Sequence, residues 1–259
     1  MLVAHHRSGG SGRVAAKGEV LAVSVWRGGP EDAADGGRFQ DFSVPAAESQ
    51  TVLDLVAWIQ QNEDPTLSYR FACRVGMCGS CAMTVNGMPR WTCRTHVKKV
   101  AREGRIEVAP LRNLPVIKDL ATDMDPFFEK WVAAEGVFHP SQTRDDPVAA
   151  VLPESKARQA ADAAIECINC GICYAACDVV TARQDYLGPA ALNRAWSLLN
   201  DVKDDGGQEI LDAVGRDGGC HSCHSMGNCA AACPNDLSPM TAIAGLKRAS
   251  VGAFFKRRR

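Results

Sequence analysis

Apolar and polar residues alternate in VLAVSVW, residues 20–26, and again in RFQDFSV, residues 38–44. A period of two turns one side of each segment into a core, so both read as half-buried strands. The Gly-, Pro- and Asp-containing stretch between them makes the pair a hairpin with a long loop. The period changes at TVLDLVAWIQQ, where Val52, Leu55, Val56 and Ile59 recur at helical spacing and Thr51 with Asp54 offers a capping box. This predicts one amphipathic helix. Beyond a cysteine-rich loop, CAMTV and MPRWTC flank Asn86-Gly87, a strong hairpin signal, and RIEVA at 105–109 supplies another strand. The first half is therefore expected to be a small mixed sheet crossed by one helix.

From about Pro115 the pattern turns helical, over 117–131, 157–166, 189–200 and 239–249, with Ser238-Pro239 as an N-cap followed by proline at the first helical position. Residues 136–155 are weakly periodic and read as a connector. The expected division is a disordered lead over 1–17, a first domain over 18–112, a helical second domain over 113–253 and a basic tail over 254–259. No window approaches the eighteen or so uninterrupted apolar residues of a transmembrane helix, which predicts a chain soluble by itself. The opening MLVAHHRSGGSGRV has no apolar core of a signal peptide and no paired arginines, so a cytoplasmic protein is expected, with His5 and His6 solvated.

The apolar fraction of 46% in 259 residues suits two globular domains, and a formal net charge of −1 argues against a nucleic-acid-binding surface. Four basic residues close the chain behind Phe254 and Phe255; they read either as a solvated terminus or as a contact for an anionic membrane surface. The twelve cysteines change the picture more. Without an export signal they are not expected to form disulfides.

They fall into three groups of four. Cys73, Cys78, Cys81 and Cys93 have the C-x4-C-x2-C spacing and distant fourth cysteine of a plant-type [2Fe-2S] site. Gly76 and Gly79 permit the inward-turned backbone such a loop needs, and Arg70 and Arg74 either offset cluster charge or are solvated. Cys167, Cys170, Cys173 and Cys177 form the run of bacterial ferredoxins, with Asp178 where proline is usual. In two-cluster ferredoxins the fourth cysteine of each run serves the other cluster. Cys233 is then expected to join Cys167, Cys170 and Cys173 on a [4Fe-4S] cluster, and Cys177 to join Cys223 and Cys229. Met226 stands at the remaining cysteine position of that second run, which leaves three thiolates and predicts [3Fe-4S]. Cys220 is either a spare buried thiol or the ligand that completes a second [4Fe-4S] cluster. Four-thiolate zinc sites are the structural alternative, less suited to a C-x4-C-x2-C loop and crossing runs.

The segments SYRFACRVGMCGSCAMTVNG, APLRNLPVIKDLATDM, ECINCGICYAAC, DYLGPAALNRAW and CHSMGNCAAACP occur in this order. Together they resemble the iron-sulfur subunit of the succinate dehydrogenase and fumarate reductase family over roughly residues 20–250. The resemblance implies an α+β chain: a plant-ferredoxin-like β-grasp domain followed by an all-α bacterial-ferredoxin-like domain. It also implies electron transfer from the covalent FAD of a partner flavoprotein, through the [2Fe-2S], [4Fe-4S] and [3Fe-4S] clusters, to quinone at a membrane-anchor subunit of cytochrome b type. The implied location is peripheral, on the cytoplasmic side of a bacterial inner membrane, with no substrate site in this chain and no nucleic-acid partner. His224 matches a position near the quinone in relatives; a solvated or core-satisfied histidine is the alternative. Ubiquinone-reducing members follow the middle run with Pro-Ser and then a tryptophan, whereas here CDVVTARQDY follows and the next tryptophan is Trp196. The same wire running from quinol to fumarate is the second reading. A wire to a thiol or heterodisulfide partner and a freely diffusing carrier are more distant ones.

Overall fold

The computed structural model describes residues 20–31 and 36–257, so the lead expected over 1–17, with His5 and His6, lies outside the described residues. Strands β1 (Val20–Arg27) and β2 (Arg38–Pro45) pair antiparallel, as the alternation predicts. Helix α1 (Val52–Asn62) starts at the expected capping box: Thr51 Oγ1 accepts from Asp54 N and the Asp54 carboxylate accepts from Thr51 N. Strands β3 (Ala82–Val85) and β4 (Met88–Trp91) are joined by Asn86 and Gly87 at φ 48° and 78°, the left-handed pair that a two-residue hairpin requires. The short helix α2 (Val97–Val100) precedes β5 (Arg105–Ala109), which runs parallel to β1 and antiparallel to β3. The sheet order is β2-β1-β5-β3-β4. Its inward residues, among them Val23, Val25, Ile106 and Val108, pack with Val52, Leu55, Val56 and Ile59 of α1 into one core.

The helix expected over 117–131 does not form as such. Strands β6 (Val116–Lys118) and β7 (Ala121–Thr122) make a small hairpin there, and α3 (Asp125–Ala133) begins only afterwards. Tertiary contacts override the local pattern at Asp119, which is buried at φ 50°. Its carboxylate accepts from Arg27 Nε at 3.0 Å, Gly28 N at 3.2 Å and Ser68 N at 2.9 Å. Pro126 then fixes the start of α3, where a missing N–H costs nothing.

The guanidinium of Arg27 donates also to Asp64, Gln40 and Thr66. The Thr66 hydroxyl, then Arg27 and the Thr66 N–H, hold the Asp64 carboxyl down at about 2, against 3.8 ordinarily. A lowered carboxylate pKa stabilises the fold above the unfolded value, so this contribution is complete above pH 4 and disappears as the pH falls toward 2. Arg27→Met leaves Asp119, whose side chain is 3% exposed, charged without its partner. It is expected to cost about 3–5 kcal/mol, read as a lower thermal unfolding midpoint at pH 7.

The rest of the chain is helical: α4 (Lys156–Ile165), α5 (Ile172–Ala175), α6 (Asp178–Ala182), α7 (Pro189–Leu199), α8 (Gly207–Gly215), α9 (Asn228–Ala231) and α10 (Pro239–Arg257). Helix α7 lies at the centre, packed against α3, α4, α8 and α10. Helix α10 runs past the expected 249 to 257, because no proline interrupts GAFFKR. Three short helices, α5, α6 and α9, carry or follow cysteines, and they position the chemistry.

Candidate cluster sites

In the loop before β3, Arg74, Gly76 and Gly79 have φ of 60°, 79° and 71°. These left-handed residues coil the backbone so that N–H groups of Val75, Met77 and Cys78 donate to Cys73 Sγ at 3.4, 3.2 and 3.3 Å. They bring the Cys73 thiol down to about 6. Cys73 N faces Cys78 Sγ and Cys93 N faces Cys81 Sγ, each at 3.5 Å. Cys93 returns to the loop because β4 runs directly into a 3-10 turn (Thr92–Arg94), and Thr92 Oγ1 donates to Cys81 O at 2.7 Å. Burial, then the neighbouring Cys81, pushes the Cys93 thiol up to about 12. Thiols ringed by inward-pointing N–H groups fit an iron-sulfur cluster, which is anionic once its four thiolates are counted. Of the two nearby arginines, Arg74 stacks over Phe71 at 4.7 Å, and Arg70 lines the cleft toward the second half.

The second half holds two further cavities. Cys167, Cys170, Cys173 and Cys233 line one, and Cys177, Cys223 and Cys229 line another together with Met226. The fourth cysteine of each run thus lies at the other run's cavity. Left-handed glycines, Gly171 at φ 75° and Gly227 at φ 85°, start α5 and α9 in the two runs. Burial pushes the Cys170 thiol up to about 12 and the Cys229 thiol up to about 11, with neighbouring cysteines adding to the effect. Bare thiolates are therefore disfavoured here, and a cationic iron core is what would make them form.

Around the second cavity, His224 is exposed at the rim and Asp178 accepts from Asn228 Nδ2 at 3.1 Å. Cys220 is fully buried but lines neither cavity; its Sγ lies 3.9 Å from Ser250 Oγ. Three residues here have no cysteine-like signature in the sequence. Lys247 Nζ donates to Cys223 O at 2.7 Å, and Tyr186, 1% exposed, lines the second cavity with Cys223, where burial and then the neighbouring Cys223 and Cys177 push its phenol up. Asn113, left-handed at φ 67° in the strand-to-helix linker, donates to the carbonyls of Tyr174 at 3.0 Å and Cys177 at 3.3 Å. It ties the linker to the middle run.

The first loop also touches the second half directly. A Cβ placed on Gly79 would lie 2.6 Å from Cys170 Cβ and 2.9 Å from its Cα. The loop carrying Cys78 and Cys81 therefore abuts the loop carrying Cys170, with only a glycine hydrogen between backbones.

A family model described as a 2Fe-2S iron-sulfur cluster binding domain matches residues 22–129, and one described as a 4Fe-4S dicluster domain matches residues 166–238. The fumarate reductase iron-sulfur subunit of Mycobacterium tuberculosis is 35% identical over 86% of this chain and 89% of its own length. The chain belongs to the succinate dehydrogenase and fumarate reductase iron-sulfur subunit family. Another member, the mitochondrial succinate dehydrogenase [ubiquinone] iron-sulfur subunit 1 of Oryza sativa, is 32% identical over 89% of this chain and 82% of its own. A solved structure titled as the Mycobacterium smegmatis Sdh1 complex in the apo form contains a chain superposing with a TM-score of 0.78. That chain is 25% identical, with 92% of this chain and 98% of the other covered. Family membership bears out the α+β class, a [2Fe-2S] domain built on a sheet followed by a helical dicluster domain.

Proposed function

We propose that this family member is the electron-transfer subunit of a succinate:quinone oxidoreductase, moving single electrons between the FAD of a flavoprotein and quinone at a cytochrome b type membrane anchor. The observation that carries the reading is the row of three cysteine-lined sites, with the first loop packed on the second through Gly79 and Cys170. Clusters bound there supply reversible one-electron chemistry. The chain's own residues ligate, space and tune them.

In this reading Cys73, Cys78, Cys81 and Cys93 hold [2Fe-2S], Cys167, Cys170, Cys173 and Cys233 hold [4Fe-4S], and Cys177, Cys223 and Cys229 hold [3Fe-4S]. Cavities ringed by thiols favour clusters over zinc. Among the described residues, no three His, Cys, Asp or Glu side chains converge on a single-ion position. The turn of Cys220 toward Ser250 supports its role as a spare thiol. Phe71, Val75 and Met77, 42, 60 and 69% exposed around the first loop, form the apolar face assigned to the flavoprotein. His224, at the rim of the third site, is assigned to the quinone side. Among the described residues no helix is long and apolar enough to cross a membrane, which suits a peripheral subunit on the cytoplasmic side of a bacterial inner membrane. The reverse flow, from quinol to fumarate, is the second reading, supported by the naming of the Mycobacterium tuberculosis relative.

The test is EPR of the air-oxidised, cluster-intact chain with iron counted. About nine irons per chain and a near-isotropic oxidised-state signal are expected; about ten irons without that signal would reject the three-iron assignment. Tyr186→Phe provides a finer check. Loss of the buried hydroxyl that lines the third site with Cys223 removes a polar group favouring the more negative reduced cluster, so its midpoint potential should fall. An interaction worth about 1 kcal/mol corresponds to roughly 40 mV for one electron. An unchanged potential would leave Tyr186 with a packing role only.

A further inference from the structure

The reading above leaves the far end of α10 without a task. The helix is a core element over its first turns, where Ala242, Ile243 and Leu246 are buried and Met240 and Ile243 line the third cysteine site. After Ser250, which contacts His221 Nε2 at 3.0 Å, the apolar side chains turn outward. Val251, Phe254 and Phe255 are 46, 55 and 61% exposed, and the two rings meet edge to face at 5.8 Å. The next four residues are Lys-Arg-Arg-Arg. They hold four of the 29 basic residues, so the remainder of the chain carries 25 basic against 30 acidic residues, a formal charge of −5. The positive charge is concentrated at one end of an otherwise acidic chain.

We infer that the C-terminal turn of α10 is a lipid contact, in which Phe254 and Phe255 enter the headgroup boundary of an anionic bilayer and residues 256–259 pair with its phosphates. The charge complementarity selects this partner. An acidic body repels nucleic acid as well as an anionic membrane, but the sequence gathers four cations directly behind two exposed aromatic rings. Aromatic rings bury at the boundary while guanidinium groups bond phosphate in pairs. The helix also fixes a distance. Fourteen residues separate Met240 from Phe254, about 21 Å of helix at 1.5 Å per residue. A lipid-held end therefore sets how far the third site stands from the bilayer. This contact is independent of the electron-transfer reading.

The experiment is co-sedimentation of the full, cluster-containing chain with sucrose-loaded vesicles, one set of phosphatidylcholine alone and one with a third phosphatidylglycerol. Binding is expected only to the anionic vesicles at about 0.1 M salt, and is expected to be lost near 1 M, where the Debye length falls to about 3 Å. R258Q/R259Q should weaken binding about thirtyfold, since each basic residue near such a surface contributes roughly equally. F254S/F255S should weaken it at about 0.1 M salt although the charge is unchanged. The visible absorption of the clusters should be unchanged in both variants, which separates lost binding from lost folding. Equal binding to both vesicle types, no binding to either, or indifference to both variants would overturn the inference. Capture by a membrane-anchor protein without vesicle binding would overturn it too, by assigning the tail to protein. Iron content and EPR are scored separately, so failure here leaves the electron-transfer reading standing.

Discussion

Met226→Cys is expected to raise the iron content from about nine to about ten per chain and to abolish the near-isotropic oxidised signal. Met226 stands at the cysteine position of its run and lines the cavity with Cys177, Cys223 and Cys229. Its neighbours Ser225 and Gly227 already have φ of 56° and 85°, so the backbone is coiled there much as at Asn169 and Gly171 of the other run, at 56° and 75°. A thiolate supplied at that point has the geometry of a fourth ligand, which a thioether cannot replace on iron. The substitution removes an exposed side chain, so stability should hardly change. An iron count that stayed near nine would mean that position 226 does not face the cluster. The ligand set proposed for that site would then need revision.

Gly79→Val should have the largest structural effect of any single change in the first loop. Gly79 is left-handed, which alone costs a branched residue about 1–3 kcal/mol, and its new Cβ would overlap the Cys170 backbone. Overpacking adds a similar amount, so a total loss of about 2–6 kcal/mol is expected. Electron transfer between the [2Fe-2S] and [4Fe-4S] sites should slow, because the two loops must separate. Gly87→Ala is the control: Gly87 has φ 78° but a Cβ there would meet nothing within 4 Å. Freeze-quenched EPR after mixing with a reductant compares the two. Equal behaviour of both variants would show that backbone strain, and not the contact with Cys170, governs the result.

Much of this was legible because local chemistry sufficed. Alternation, the Thr51–Asp54 box and Asn86-Gly87 depend on neighbours a few residues apart, and each appears in the structure where the sequence places it. The segment 117–131 misled because its pattern is helical, whereas Asp119 is claimed by Arg27, 92 residues away. The grouping of cysteines around the two cavities was legible from spacing, since three-residue separations keep the cysteines of a run close together. Tyr186, Lys247 and Asn113 were not, because a side chain that meets a cysteine loop across space demands no particular neighbour in sequence. The contact of Gly79 with Cys170 was invisible for the same reason: it joins two loops 91 residues apart, the difference between 170 and 79.

The exchange of cysteines between the two C-terminal runs also bears on synthesis. All four thiols of the first loop lie between residues 73 and 93, so its binding shell leaves the ribosome nearly at once. The cavity lined by Cys167, Cys170 and Cys173 lacks its last wall until Cys233 is made, 60 residues after Cys173. At about 5–20 residues per second, that interval is roughly 3–12 s. Through it, three cysteines of the nascent chain wait unpaired. The crossed topology leaves both rear cavities without a wall until the second run has been made, so neither can close on its own.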